Sequence, residues 1–189
     1  MSIDQLSKLN RILERDSTDT TYKYALLRAA SEICQNHNPA TQIDGFWYQT
    51  GYLVEKWIEY YYPLIESETF IPQKNSEKPL RDKGRNIAFR RCFKKITDYY
   101  KGRGGIKAFW IQYKLGKIDD DINEECLELA KNIWFTITRY PMKHLGFSVD
   151  NNHYQFFNYK NRNQITSKTR FSQELVINDL GRFWIENDL

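Results

Sequence analysis

Apolar residues recur at helical spacing through the first two-thirds of this chain, and then the pattern changes. Leu6, Leu9, Ile12 and Leu13 share one helical face. Ser17 to Thr21 offers several N-caps before Tyr22, Ala25, Leu26, Ala29 and Ile33, which repeat the same period, so two amphipathic helices are expected. After the turn-rich Asn36-His37-Asn38-Pro39, a third helix is expected from about Gly45 to Glu66. It would carry Tyr48, Tyr52, Trp57, Tyr60, Tyr61 and Leu64 and end near Pro63 or just beyond. Phe70 to Pro79, with two prolines and several polar residues, reads as a connecting loop.

The spacing predicts a further helix from about Leu80 to Tyr100. Phe89, Cys92, Phe93, Ile96, Tyr99 and Tyr100 form its apolar stripe, with Lys83, Arg90, Arg91, Lys94 and Lys101 on the other side. Lys101-Gly102-Arg103-Gly104-Gly105 breaks it, and Ile106, Phe109, Trp110 and Tyr113 begin another. Asp119-Asp120-Asp121 marks the start of a helix bearing Ile122, Cys126, Leu129, Ala130, Ile133, Trp134 and Ile137, since acidic side chains favour a helix N-terminus. Pro141 ends it. His153 to Lys160, flanked by Asn-rich turns, reads as a strand with Gln164 to Lys168 as its hairpin partner. Between Phe171 and Leu189 the pattern is ambiguous, because Leu175, Val176 and Ile177 suit a strand or one helical turn. The expected class is mainly α, a multi-helix domain with a small C-terminal β element (α+β). The helical domain would cover residues 1–145, and a small β-containing segment residues 146–189.

Composition adds two constraints. With 189 residues, 41% of them hydrophobic and 15% aromatic, the chain can bury a core of its own, and the aromatics are expected mainly in that core. Cys34, Cys92 and Cys126 are odd in number, far apart and on predicted apolar faces, so they read as buried thiols of a reducing compartment. Neither a signal peptide nor an 18-residue apolar run occurs, which leads to the expectation of a cytoplasmic protein that spans no membrane.

Charge changes the picture more. From Glu77 to Leu115 there are twelve Lys and Arg against three acidic residues, a local balance of +9 in a chain whose total is +4. The remainder must therefore be acidic, at −5. An uneven distribution of this kind suits a polyanion, nucleic acid above all. Lys83, Arg85, Arg90, Arg91, Lys94, Lys101, Arg103 and Lys107 are the candidate phosphate-contacting residues. Gly102, Gly104 and Gly105 can take positive φ and so turn backbone N–H groups toward a phosphate at the start of the next helix; equally, they can serve only to turn the chain. Such contacts position a protein without reading bases.

Catalytic motifs are missing from this pattern. His37, His144 and His153 stand singly, and no C-x-x-C, H-E-x-x-H or restriction-type Glu-x-Lys or Asp-x-Lys occurs. Nor does G-x-x-x-x-G-K-[ST] or G-x-S-x-G. Asp119 to Asp121 with Glu124 and Glu125 fit a helix start better than a cation site. No cofactor is expected in this chain, and no catalysis by it alone.

Two segments carry a family likeness. Thr21-Tyr22-Lys23-Tyr24-Ala25-Leu26-Leu27-Arg28-Ala29, after Leu9 to Ser17, resembles the opening helices of bacterial HNH endonucleases of restriction or phage-defence type. Val176-Ile177-Asn178-Asp179-Leu180-Gly181-Arg182-Phe183-Trp184 resembles the segment preceding their nuclease half. The resemblance implies a helical region that engages or positions double-stranded DNA, followed by a ββα-metal nuclease. The nuclease's cysteine pairs and its catalytic Asp-His and Asn-His elements would lie beyond Leu189, as would any divalent metal, so no catalytic residue carries over. On this view the chain is the N-terminal region of such an enzyme or a stand-alone relative. The alternative is a protein-interaction module of a defence or toxin-antitoxin-like assembly. Its basic face would meet an acidic partner, and Tyr60, Tyr61 and Tyr62 would form the core of the interface.

Overall fold

The structure is a computed structural model that describes residues 7, 10–11, 13–14, 20–42, 45–79, 86–145, 156–160, 165–166 and 168–186. Leu6, Leu9 and Ile12, Leu80 to Arg85 with Lys83 among them, and residues 153–155, 164 and 167 of the expected hairpin lie outside the described residues. The chain is mainly helical with one small antiparallel sheet.

The central element is α2 (Thr50–Glu66), preceded by α1 (Tyr22–Asn36), β1 (Ala40–Gln42) and β2 (Gly45–Gln49). Leu53, Val54, Trp57, Ile58, Tyr61, Tyr62 and Ile65 of α2 are all buried, a stripe wide enough to be packed from several sides. Tyr22 of α1 and Phe89 close around Trp57 and Tyr61, with ring centroids 5.2–6.1 Å apart. A second aromatic group is built from Tyr62, Phe93, Tyr100, Phe109, Tyr113 and Phe171. Aromatics thus fill the core as composition suggests. Pro63 falls in the last turn of α2, where a missing N–H does little damage, and the helix ends three residues later.

Further along the chain come α3 (Arg90–Tyr100), α4 (Gly105–Lys114), α5 (Asp120–Arg139) and the single turn α6 (Pro141–His144). α3 packs between α2 and α5. The remaining elements are β3 (Phe157–Lys160), α7 (Gln173–Asp179) and β4 (Arg182–Glu186). Ser172 caps α7, its Oγ accepting from the Leu175 N–H at 3.3 Å. Gly51 lets α2 approach α7 directly: a Cβ there would meet the Val176 carbonyl oxygen at 2.2 Å.

The sheet order is β1-β2-β4-β3, antiparallel throughout, so β4 lies between strands from opposite ends of the described chain. Register places Trp47 opposite Trp184, and Trp184 opposite Asn158; the next row outward on the same face is Gln49, Arg182 and Lys160. The other face carries Tyr48, Phe183, Ile185 and Phe157, all buried against the helices. The division expected after residue 145 is therefore crossed by this sheet, and α7 rests on α2.

Several expectations are corrected. Gly45 to Gln49 is a strand rather than the first turn of α2, because Phe46, Trp47 and Tyr48 find partners on β4 far along the chain. The basic helix α3 begins at Arg90 and does not include Asn86 to Phe89, while Leu80 to Arg85 lie outside the described residues; Asn86 and Ile87 are held in loop conformation by Lys74 Nζ on the Asn86 carbonyl and by Glu77 on the Ile87 N–H. β3 pairs with β4, and the described residues 165, 166 and 168 of the expected partner lie in no strand. Leu175 to Ile177 lie in a helix and Phe183 to Ile185 in a strand. Cys92 and Cys126 are buried, whereas Cys34 is exposed at the C-terminal end of α1. Burial, the leading cause, pushes the Cys92 thiol up to about 11. No helix among the described residues is long and apolar enough to cross a membrane.

Candidate nucleic-acid interface

The expected basic face divides at Arg90. This residue begins α3, but its side chain is only 6% exposed and that of Glu77 is 0% exposed. Arg90 Nε donates to Glu77 Oε1 at 2.6 Å and Nη2 to Oε2 at 3.1 Å, with a further bond from Nη2 to the Ile71 carbonyl at 2.8 Å. The Gln73 and Ile87 N–H groups donate to the same carboxylate at 2.6 and 3.1 Å. Phe70 covers the guanidinium, whose carbon lies 4.7 Å from the ring centroid. Burial works against a charged Glu77, yet the Arg90 hydrogen bond and the two N–H donors hold its carboxyl below the ordinary carboxylate range. Arg90 is thus a structural cation that ties residues 70–77 to α3, and it is not available to a phosphate.

Further along α3 the cations are open to solvent in varying degree. Arg91 is exposed. Lys94 is ion-paired to Asp98 one turn on, and Lys95 reaches Glu125 of α5 at 2.6 Å. A cavity of about 240 Å³ beside Lys94 is lined by Leu64, Ile65, Phe70 and Pro79 as well as Arg90. With one arginine committed to Glu77 and one lysine to Asp98, that cavity is not a phosphate site.

Beyond Tyr100 the arrangement opens. Gly102, Gly104 and Gly105 take φ of 80°, 98° and 59°, left-handed values that a side chain would strain. Gly104 is the N-cap of α4, and no side chain caps that helix. Gly104 thus has no side chain to cap the first N–H groups of α4 at the positive end of the helix dipole, and the Glu66 carboxylate lies nearby, its Oε1 3.7 Å from where a Gly105 Cβ would stand. Lys101, Arg103 and Lys107 are exposed around it. Arg103 lies against the Tyr99 ring at 4.3 Å and donates to the Tyr99 carbonyl at 2.5 Å, which fixes its stem while leaving the guanidinium outside. Lys101 has only a distant carboxylate, Glu68 at 3.7 Å. Of the eight candidates, then, the fold brings Lys101, Arg103 and Lys107 together, sets Arg91 and a paired Lys94 along α3, and buries Arg90. Lys83 and Arg85 lie outside the described residues.

The acidic run behaves as a helix start. Asp119 is the N-cap of α5, although its carboxylate accepts from Tyr99 OH at 2.6 Å rather than from a backbone N–H. Asp120 pairs with Arg170 at 2.6 Å. Among the described residues no group of three or more His, Cys, Asp or Glu could hold a metal ion.

A family model, Domain of unknown function (DUF8808), matches residues 2–189. The chain belongs to that family. No curated protein and no solved structure matches it. In this DUF8808 chain the sequence pattern missed the structural role of Glu77, for which the signal is an acid at the head of a run of cations. It also missed the outer sheet face, whose signal is the two-residue alternation in Phe157-Asn158-Tyr159-Lys160 and in Arg182-Phe183-Trp184-Ile185.

Proposed function

We propose that this chain binds double-stranded DNA through the end of α3, the glycine turn and the first turn of α4. One observation carries the reading: exposed Lys101, Arg103 and Lys107 surround a helix N-terminus that no side chain caps, at a turn of left-handed glycines. Backbone N–H groups and a helix dipole supply the anion-binding element, and the cations extend it along a phosphate backbone. Arg91 adds a contact one side of α3 away. The resemblance to HNH endonucleases extends the proposal: this domain positions DNA for a nuclease half carried elsewhere, and any divalent metal belongs there.

The test is titration of the purified chain with labelled duplex DNA over a salt series, with Mg²⁺ present and the DNA inspected afterwards for cleavage. The variant Lys101→Ala/Arg103→Ala/Lys107→Ala is expected to flatten the dependence of log K on log salt by about 0.9 per lost contact, about 2.7 in all. An unchanged slope would remove the face from the interface.

A second reading, docking of a protein partner, is supported by Ile111 and Leu115 of the same region, 60% and 62% exposed beside Lys107 and Lys114. It draws nothing from Tyr61 and Tyr62, which are buried in the core. Ile111→Ser/Leu115→Ser should leave the DNA slope unchanged if the first reading holds, and a partner that depends on these two side chains would favour the second.

A further inference from the structure

The outer face of the four-stranded sheet carries chemistry that the α3–α4 reading does not use. Trp184 sits at its centre, half-buried, with its indole laid across Gly45: a Cβ at that glycine would come within 2.2 Å of Trp184 Nε1 and 2.5 Å of Cε2. Trp47 is its direct cross-strand neighbour on β2. The adjoining row pairs Arg182 of β4 with Lys160 of β3, both exposed. Like charges directly opposite one another destabilise a sheet. Here no carboxylate among the described residues is paired with either of them. Lys160 instead reaches across the sheet, its ammonium 4.7 Å from the Trp47 ring centroid. Asn158 and Gln49 complete the two rows with side chains able to donate and accept hydrogen bonds.

We propose that this face is a second nucleic-acid site, one that takes single-stranded DNA, with a base stacked on Trp184 and phosphates held by Arg182 and Lys160. The occupant is anionic because two cations are set side by side at a cost that an intervening phosphate relieves. It carries flat apolar rings because Trp184 stands at the centre of the face beside the two cations, with Asn158 and Gln49 in the same rows and Glu186 opposite Gly45 in the row beyond. It is a single strand because bases stacked inside a duplex cannot lie on a protein ring, whereas every unpaired base offers a π-face. The choice of DNA over RNA rests on the α3–α4 reading; the existence of the site does not. A chain with both surfaces would hold a duplex on its helical side and an unpaired stretch on its sheet.

The experiment measures binding of the full chain to fluorescent dT20, to an abasic 20-mer with the same backbone, to rU20 and to a duplex. Wild-type protein should bind dT20 more tightly than the abasic strand. Trp184→Leu should weaken dT20 binding by roughly tenfold, as loss of one stacking ring does, while Trp184→Phe keeps more of it. Because Trp184→Leu could disturb the sheet, the exposed pair is tested separately: Arg182→Ala/Lys160→Ala should lower the single-strand salt slope by about 0.7 per contact, about 1.4 in all, with duplex binding unchanged. Equal binding of dT20 and the abasic strand, or dT20 binding indifferent to Arg182→Ala/Lys160→Ala, overturns the site. Tighter binding of rU20 than of dT20 overturns the assignment to DNA. Loss of dT20 binding only in Lys101→Ala/Arg103→Ala/Lys107→Ala puts the single strand on α4 and overturns the proposal while leaving the duplex reading intact. Sheet-dependent dT20 binding without any duplex binding does the reverse.

Discussion

The two ends of α3 each present an arginine lying on an aromatic ring, and the two have opposite fates. Arg90, at the start, rests on Phe70 at 4.7 Å; Arg103, just past the end, rests on Tyr99 at 4.3 Å. Arg90 has a buried carboxylate for a partner, whereas Arg103 has a backbone carbonyl and open solvent. The first has become part of the scaffold and the second remains available to a ligand. A count of charges along the segment cannot separate them, since both contribute +1. What separates them is whether a carboxylate accompanies the cation into the interior.

The most damaging way to break this comparison is to remove Glu77. Glu77→Gln leaves the Arg90 charge buried without its counter-ion, and a loss of about 3–5 kcal/mol is expected in urea unfolding. Duplex binding by protein that remains folded should be unaffected. The same contact predicts an acid sensitivity. Because the folded-state pKa of Glu77 is depressed, its contribution is present above the unfolded value of about 4.3 and is lost as pH falls below it toward the folded value. Thermal melts between pH 5 and pH 2.5 should show a steeper decline for wild type than for Glu77→Gln.

Arginine-to-lysine changes sharpen the contrast. Arg90→Lys cannot reproduce two bonds to Glu77 together with one to the Ile71 carbonyl, so it should destabilise by about 1–3 kcal/mol, the scale of a charged hydrogen bond lost in the interior. Arg103→Lys keeps an exposed cation and should change stability by less than about 0.5 kcal/mol, with the DNA salt slope retained. The smallest effect belongs to the surface pair on α3. Asp98→Ala should shift stability by less than about 0.5 kcal/mol while freeing Lys94, which would tighten duplex binding at low salt and steepen the slope by up to about 0.9.

Local signals were legible where the partner is local. The periods of α1 and α5, the glycine break after Tyr100 and the acidic start of α5 all follow from neighbouring residues, and the structure has them where the pattern does. β2 was not legible, because Phe46-Trp47-Tyr48 continues smoothly into the apolar period of α2 and its pairing strand lies at Arg182–Glu186. The helical reading failed over Asn86 to Phe89 for a related reason, Leu80 to Arg85 lying outside the described residues. Phe89 shares the stripe of α3, yet a carboxylate thirteen positions before Arg90 takes the Ile87 N–H and holds the preceding residues in a loop. For the candidate site, the exposure of Lys101, Arg103 and Lys107 was legible from the glycine break, since a turn joining two helices lies at the surface. Arg90 belongs to the polar face of α3 by periodicity, and only the fold of residues 70–77 brings a buried acceptor to it.

The place of β4 between β2 and β3 has a consequence for the order of assembly. Trp47 and its neighbours leave the ribosome long before the strand that will pair with them, and until residue 186 follows, β2 has only the short β1 beside it. An aromatic strand with one unpaired edge is an invitation to pair with another chain. During synthesis this protein therefore passes through an interval in which its helical core can close while its sheet cannot, and its solubility then depends on how quickly the last strand arrives.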